Sequence, residues 1–188
     1  NIFKREKNKK ILRKNFFYVG FLGSLDFHKG LDFYFDCISE INKFNNNFIF
    51  LIGGTLSISN GYLMKLLTFL KIKKDFNQVF EKFKKKKFKN VKFLNKVTNL
   101  GQFYNSINLI CFPSRMNALG RPVIEAAAYG IPSLVCLNNY YNDTIIDNKT
   151  GYVVKFGNIK KFIKKLTYLN RNKNKLKQLG IHAKKIII

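Results

Sequence analysis

The sequence predicts an α/β fold of the Rossmann-like, doubly wound type, with a parallel sheet and helices on both faces. Short apolar segments alternate with longer segments whose apolar residues recur at helical spacing, which is the pattern of strands joined by crossover helices. The short segments are continuously apolar, as expected for strands buried on both faces. Hydrophobic residues make up 46% of the 188 residues and include 20 phenylalanines, enough for one sizeable core.

Six segments have the length and composition of buried strands. They are residues 15–21, 48–52, 91–94, 109–112, 133–137 and 152–154. Helices are predicted between and after them over residues 31–44, 62–73, 76–87, 99–106, 122–128, 158–170 and 174–187. No linker rich in Pro, Gly or Ser divides the chain, so we expect one domain over residues 15–188, preceded by a basic, loosely ordered leader over residues 1–14.

Charge is the most unusual feature of the composition. Lysine and arginine number 35 against 10 acidic residues, which gives a formal net charge of +25 and raises the question of a nucleic-acid or membrane partner. Arginine, the residue that reads bases and phosphates through two parallel hydrogen bonds, occurs at only five positions. A nucleic-acid partner is therefore disfavoured, and solvated lysine faces explain most of the charge.

The cysteines and the metal-ligand residue types exclude several classes of site. Cys37, Cys111 and Cys136 are odd in number and form no C-x-x-C pair, so we expect buried, reduced thiols in a cytoplasmic protein. No spacing of His, Cys, Asp or Glu indicates a metal site. No apolar run reaches the ~18 residues of a membrane span.

Residues 113–132, PSRMNALGRPVIEAAAYGIP, carry the clearest functional signal. They have the pattern of a strand end, a glycine turn and a short helix. Pro122 suits the first helical position, and Gly130 suits the position just past the helix end. The backbone N–H groups of residues 119–121 are then expected at the positive end of the helix dipole, an arrangement that suits a phosphate group.

This segment resembles the donor-site signature of the retaining GT-B glycosyltransferases of the group 1 type (family 4-like). In that family two Glu residues seven positions apart flank a Phe-Gly or Leu-Gly turn. Gly120 and Glu125 match the signature, whereas Asn117 replaces the first Glu. The resemblance implies that Glu125 accepts hydrogen bonds from ribose hydroxyls and that Asn117 contacts the donor sugar. The structural alternatives are that Glu125 complements the helix dipole and that Asn117 is the helix N-cap.

Residues 18–30, YVGFLGSLDFHKG, form a second motif with a strand, a loop and a helix start. Family members place Gly-Arg-Leu here, followed three residues later by Lys-Gly. Gly23, Lys29 and Gly30 match, but Ser24 replaces the arginine. The resemblance implies that Lys29 holds the donor diphosphate and stabilises the charge of the leaving group, while Ser24 keeps at most one uncharged hydrogen bond. The alternative for Lys29 is a solvated loop lysine.

Two further segments support the resemblance. Residues 93–104 resemble the strand and helix that line the family's base pocket, where a backbone group near Val97 meets the nucleobase. Residues 143–154 resemble another family segment, in which Asn148 replaces a glycine; Asn is suitable there because it accepts left-handed turns. Arg121 is a candidate to face the diphosphate and partly replace the missing arginine, although a surface salt bridge would explain it equally well.

The resemblance implies the carboxyl-terminal, donor-binding half of a two-domain GT-B enzyme, with the amino-terminal acceptor domain absent. The enzyme is expected to transfer a hexose from a UDP- or GDP-sugar to a glycan or lipid-linked acceptor without a metal cofactor, and this half alone is expected to be inactive. The residues implied in catalysis are Lys29, Glu125 and Asn117, and those implied in donor binding are Gly23, Ser24, Lys29, Val97, Leu119, Gly120, Arg121 and Glu125.

Two other interpretations stay open. The domain could be a non-catalytic nucleotide-sugar-binding module, with Ser24 and Asn117 marking a decayed site. Alternatively, a basic surface could dock on an anionic membrane, such as the inner face of a cell membrane, or on nucleic acid. The lysines that would carry it are Lys82, Lys84, Lys85, Lys86, Lys87, Lys89 and Lys92.

Overall fold

A computed structural model describes residues 15–45, 47–56, 75–116, 119–139 and 145–187. The predicted leader, the helix predicted over residues 62–73 and the candidate site residue Asn117 lie outside these ranges. No helix within the described ranges combines the length and the apolar character needed to cross a bilayer.

The described residues form one six-stranded sheet with flanking helices. The strands are β1 (Phe17–Leu22), β2 (Phe48–Gly53), β3 (Val91–Phe93), β4 (Leu109–Phe112), β5 (Ser133–Cys136) and β6 (Gly151–Val154). The helices are α1 (Leu31–Ile41), α2 (Phe76–Lys84), α3 (Leu100–Asn105), α4 (Arg121–Ala128), α5 (Ile159–Arg171) and α6 (Lys173–Ile187).

The sheet has the order β3-β2-β1-β4-β5-β6, and every neighbouring pair is parallel. Helices α1, α2 and α5 pack on one face, while α3 and α4 pack on the other. The predicted Rossmann-like, doubly wound fold is therefore confirmed. The strand order reverses between β1 and β4, and in such sheets the ligand crevice lies outside the carboxyl ends of the strands at that point.

The two faces of the sheet are covered differently. The α1 and α2 side is aromatic: Phe35 stacks on Phe83 with 4.0 Å between ring centroids, and Tyr34 is fully buried. On the other side α4 presents Ala126, which is also fully buried. The small side chain allows α4 to lie close to the strands. The first turn of α4 lies at the carboxyl ends of the strands, the edge at which sheets of this class bind ligands.

Several helices end earlier than the sequence pattern predicts. Helix α1 ends at Ile41 instead of residue 44, because the Asn42 side-chain amide donates to the Ile38 carbonyl at 2.9 Å and the chain turns there. Helix α2 ends at Lys84 instead of residue 87, and Lys87 has φ +50°. The first miss arises because apolar spacing continues to Phe44, past the hydrogen bond that closes α1, and the second because nothing in the run of lysines marks the left-handed turn at Lys87.

The predicted buried thiols are confirmed. Cys37, Cys111 and Cys136 are free and buried in the core. Burial raises the pKa of all three thiols, that of Cys136 to about 12, so they stay protonated at neutral pH. The predicted left-handed backbone at Asn148 is also confirmed, with φ +62°.

The last helix packs against the turn that ends α4. Gly130 has φ +71°, as expected for the residue just past a helix end. Gly180 of α6 lies so close to the Gly130 carbonyl oxygen that a Cβ at residue 180 would overlap it. Helices α4 and α6 therefore meet backbone to backbone.

Candidate functional site

A cleft with a volume of ≈ 600 Å³ opens at the carboxyl ends of the strands, where the strand order reverses. It is bordered by the loops after β1, β2 and β3 and by the first turn of α4. The predicted site residues that line it are Gly23, Ser24, Lys29, Val97, Gly120, Arg121 and Glu125. Of the other two, Leu119 packs beneath the cleft against the cluster around Phe112 and Val123, and Asn117 is outside the described residues.

The loop between β1 and α1 is organised by Asp26. Its carboxylate accepts a hydrogen bond from the Ser24 hydroxyl at 2.6 Å and another from the Lys29 backbone N–H at 2.8 Å. The Lys29 ammonium lies 5.5 Å from the centroid of the Phe112 ring, beneath the cleft. Asp26 thus fixes the turn that presents the lysine, and the aromatic ring adds a weak cation–π attraction.

Ser24 occupies the position at which the resemblance expects an arginine. Its hydroxyl proton is already donated to a carboxylate, so only the oxygen lone pairs remain available. A phosphate bound here would need a donor, and Ser24 could supply one only by releasing Asp26. The substitution therefore removes both a positive charge and a free donor from this wall of the cleft.

The segment after β4 is fastened to that loop by Arg115. The guanidinium donates to both carboxylate oxygens of Asp32, at 2.7 and 2.6 Å, and to the Phe27 carbonyl at 2.7 Å. The Arg115 backbone N–H donates to the His28 carbonyl at 3.0 Å. No local pattern singles out Arg115 in the sequence, because its partners are more than 80 residues away in the chain.

Two glycines allow the close approach of these segments. Gly30 has φ +69°, and a Cβ on it would overlap the carbonyl oxygen of Pro113. A Cβ on Gly120 would overlap the Phe112 ring. The loop after β1 and the start of α4 can therefore face the same narrow space.

The N-cap of α4 is Gly120. The structural alternative that gave this position to Asn117 is therefore wrong, and the helix begins at Arg121, one residue earlier than predicted, so that Pro122 is its second residue. The backbone N–H groups of Gly120 and Arg121 have no acceptor among the described residues. Together with the helix dipole, they make the start of α4 suitable for an anion.

Glu125 is held by a buried tyrosine. The Tyr104 hydroxyl donates to Glu125 Oε2 at 2.7 Å, and the Tyr104 ring is stacked on Tyr129 with 5.2 Å between centroids. Burial, and after it the hydrogen bond to Glu125, raises the Tyr104 pKa well above its usual range. Tyr104 belongs to the predicted base-pocket segment, but it is fully buried and lies behind the cleft wall.

The wall opposite α4 is formed by residues that follow β3. Val97 packs over Gly53 of β2 so closely that a Cβ there would come within 2.6 Å of Val97 Cγ2. Lys96 and Leu100 also line the cleft. Lys96 was missed from the sequence, where it is one lysine among many, although its place beside Val97 was a usable signal.

Charge in the cleft is predominantly positive. The lining residues include three cations, Lys29, Lys96 and Arg121, and one carboxylate, Glu125. Within the described ranges, no three His, Cys, Asp or Glu side chains come together in a way that could hold a metal ion. The arrangement is chemically suited to a polyanion that also carries hydroxyl groups for Glu125.

The fold places the domain in the Rossmann-like class of α/β domains. Its cleft lies where the strand order reverses and has a lining suited to a polyanion. The chain belongs to the family described as Glycosyl transferases group 1, whose model matches residues 3–186.

Individual relatives agree with this membership. The chain is 25% identical over 180 residues to the capsular polysaccharide biosynthesis glycosyltransferase CapM of Staphylococcus aureus, covering 96% of this chain and 43% of CapM. Thus it spans less than half the length of that relative.

Solved structures share the fold. The C-terminal domain of the group 1 glycosyl transferase LpcC from Francisella tularensis has a TM-score of 0.75 at 16% identity, with 99% of this chain and 94% of that chain covered. Anabaena Alr3699/HepE in complex with UDP and glucose has a TM-score of 0.73 at 17% identity, with 92% of this chain and 44% of that chain covered.

Proposed function

We propose that this domain binds the nucleoside diphosphate of a sugar nucleotide and is the donor-binding half of a retaining glycosyltransferase. One observation carries the proposal: Lys29, the Gly120 and Arg121 amides, which have no acceptor among the described residues, and Glu125 open onto a single cleft at the strand-order reversal. Family membership supports it, as do the printed partners of a structural neighbour, UDP and glucose. The near-complete match to a solved C-terminal domain supports the assignment to that half.

The diphosphate is assigned to the side of the cleft near Lys29. The ammonium group, the N–H groups of Gly120 and Arg121 and the Arg121 guanidinium supply donors and positive charge there. When the bond between the sugar and the diphosphate breaks, negative charge grows on the departing phosphate oxygen. Preorganised donors around that oxygen stabilise the transition state more than the ground state.

The nucleoside is assigned to the space between Glu125 and Val97. Glu125 uses one carboxylate oxygen for Tyr104 and offers the other to ribose hydroxyls. The base is assigned to the wall formed by Val97 and Leu100, with UDP as the first candidate because a structural neighbour contains it, and GDP as the second. By the family resemblance, Asn117 contacts the donor sugar.

Calorimetric titration of the chain with UDP and with GDP tests the proposal. We expect Lys29→Ala to weaken binding about 10- to 100-fold, the loss of one charge-assisted hydrogen bond. Lys160→Ala on the exposed surface of α5 is the matched control and should leave the affinity unchanged. Equal affinities of wild type and Lys29→Ala would remove Lys29 from the site.

The same titration with EDTA present tests the proposed independence from metal ions. We expect the affinity to be retained, because Lys29, Arg121 and backbone amides, rather than a cation, neutralise the phosphates. A strict requirement for Mg²⁺ would contradict this part of the proposal.

The alternative of a non-catalytic module has one observation in its favour, the Ser24 hydroxyl that is bound to Asp26. The two interpretations predict different outcomes for the full-length protein: a non-catalytic module would bind UDP or GDP without transferring sugar to an acceptor, whereas the donor half of an active enzyme would support transfer.

Transfer to an acceptor is assigned to the complete enzyme. Acceptor groups would come from an amino-terminal domain, and the acceptor is proposed to be a glycan or a lipid-linked glycan that receives a hexose. Half a cleft loses most of the benefit of positioning and preorganisation. The chain alone is therefore expected to give no transfer from a labelled sugar nucleotide, and robust transfer would show that it is self-sufficient.

A further inference from the structure

The turn after α1 and the loop before β3 form a basic surface with one exposed aromatic ring. We define the Phe44 surface as Lys43, Phe44, Lys85, Lys86, Lys87 and Lys89. Phe44 is 64% exposed, the highest value among the large hydrophobic residues of the described ranges, and the neighbouring Lys43 side chain is 67% exposed. The sequence indicated the lysines but not the exposed ring that accompanies them.

Hydrogen bonds join the two parts of this surface. The Lys86 ammonium donates to the Ser39 hydroxyl of α1 at 2.8 Å. The Asn90 side chain donates to Asn42 Oδ1 at 2.8 Å and to the Phe48 carbonyl at 2.9 Å. The lysine loop is thus tied to the end of α1 and to the start of β2, next to the turn that carries Phe44.

The surface has a surplus of positive charge. Residues 82–92 contain seven lysines and no acidic residue. The nearby carboxylates of Glu40 and Glu81 are already ion-paired with Lys43 and Lys84. Most of the lysines are therefore available to an external anion.

We propose that the Phe44 surface docks on an anionic lipid bilayer, with the ring entering the interface and the lysines meeting headgroup phosphates. Lysine stems extend along apolar material while their charges stay in the headgroup layer, and anionic leaflets attract such clusters. Nucleic acid is the weaker match, because no arginine belongs to the surface and a single exposed ring gives no row of stacking platforms.

Docking through this surface leaves the cleft open. The lysine loop and the Phe44 turn precede β3 and β2, so they lie at the amino ends of the strands, whereas the cleft lies at the carboxyl ends. Lipid binding and nucleotide binding are therefore expected to be independent, and the proposal holds whether or not the cleft binds a sugar nucleotide.

Flotation with vesicles of phosphatidylcholine, with and without phosphatidylglycerol, tests the proposal. We expect binding only to the anionic vesicles. Lys85→Gln/Lys87→Gln/Lys89→Gln should weaken it about 100-fold, about fivefold per lysine, and Phe44→Ser about tenfold. The control Lys160→Gln/Lys164→Gln/Lys177→Gln has the same net charge but lies on α5 and α6, outside the Phe44 surface, and should change binding less than about threefold.

Thermal unfolding checks that each variant is folded. If the triple lysine variant does not fold, the vesicle affinity of Phe44→Ser alone tests the proposal. Equal losses in the two triple variants, equal binding to neutral vesicles, or an unchanged affinity of folded Phe44→Ser would overturn the proposal. So would a single-stranded RNA that displaces the vesicles through the same three lysines.

Discussion

The two sides of the cleft are held in different ways. The loop between β1 and α1 supports itself, because its own Asp26 accepts hydrogen bonds from Ser24 and from the Lys29 backbone. The opposite side depends on other elements: Arg115 is fixed by Asp32 of α1, and Glu125 is fixed by Tyr104 of α3. The cation is therefore presented by local structure, while the carboxylate on α4 depends on long-range packing.

The largest effect is expected where the two sides touch. Gly30→Ala places a Cβ on the Pro113 carbonyl and should lower the free energy of unfolding by about 4 kcal/mol in urea titrations. Gly157→Ala is the matched control, since Gly157 also has a positive φ, +87°, but nothing lies within 4 Å of its added Cβ. It should cost only about 1 kcal/mol; equal costs would show that the contact with Pro113 is not tight.

The self-supporting loop is tested by Asp26→Ala. Removing both acceptors should lower the free energy of unfolding by about 2 kcal/mol and weaken UDP binding, because Lys29 loses its fixed turn. Asp75→Ala removes a carboxylate that caps α2 away from the cleft and should affect stability alone. A tighter affinity for UDP in Asp26→Ala would mean that the carboxylate repels the phosphates more than it positions the lysine.

On the α4 side of the cleft, Tyr104→Phe should weaken UDP binding about fivefold, because it removes one hydrogen bond of about 1 kcal/mol. Because burial keeps the Tyr104 hydroxyl protonated, we expect the same ratio at neutral and mildly alkaline pH. A UDP analogue that lacks the ribose hydroxyls should bind wild type and variant equally. Tyr34→Phe, on the other face of the sheet, is the control. If Tyr104→Phe weakened binding of the analogue as much as binding of UDP, Tyr104 would have a structural role only.

The smallest effect on stability is expected for Arg115→Gln. The Arg115–Asp32 pair is partly exposed, with 38% and 23% of the two side chains accessible, so unfolding measurements should show a loss of about 1 kcal/mol. Lys84→Gln breaks a more exposed pair, Lys84–Glu81, and should change stability by less than about 0.5 kcal/mol. If the two losses are equal, the link between the two sides is not stronger than an ordinary surface pair.

The sequence was sufficient for the fold and for most of the cleft lining. Continuous apolar segments are a direct consequence of burial on both faces, so all six predicted strands are present with shifts of at most two residues at their ends. The cleft residues were predicted mainly from the family resemblance, and they lie together because strand–loop–helix order places Lys29 and Gly120 at the same edge of a parallel sheet.

What the sequence could not give depends on contacts between distant residues. The Tyr104–Glu125 hydrogen bond and the Arg115–Asp32 pair join residues from different crossover units, and no local spacing encodes either of them. Lys96 has an ordinary local sequence, and only its position next to Val97, a predicted site residue, distinguishes it from the other lysines. Similarly, the exposure of Phe44 follows from the early end of α1. The apolar pattern predicted that the helix would continue to residue 44.

The contact between Gly130 and Gly180 has a consequence for synthesis. The ribosome produces α4 long before α6, so in the nascent chain the turn after α4 lacks its backbone neighbour until Gly180 has emerged. A chain truncated before this helix would contain every residue of the cleft and still have the outer side of α4 uncovered. Correct packing of the turn that ends α4 therefore waits for the synthesis of α6.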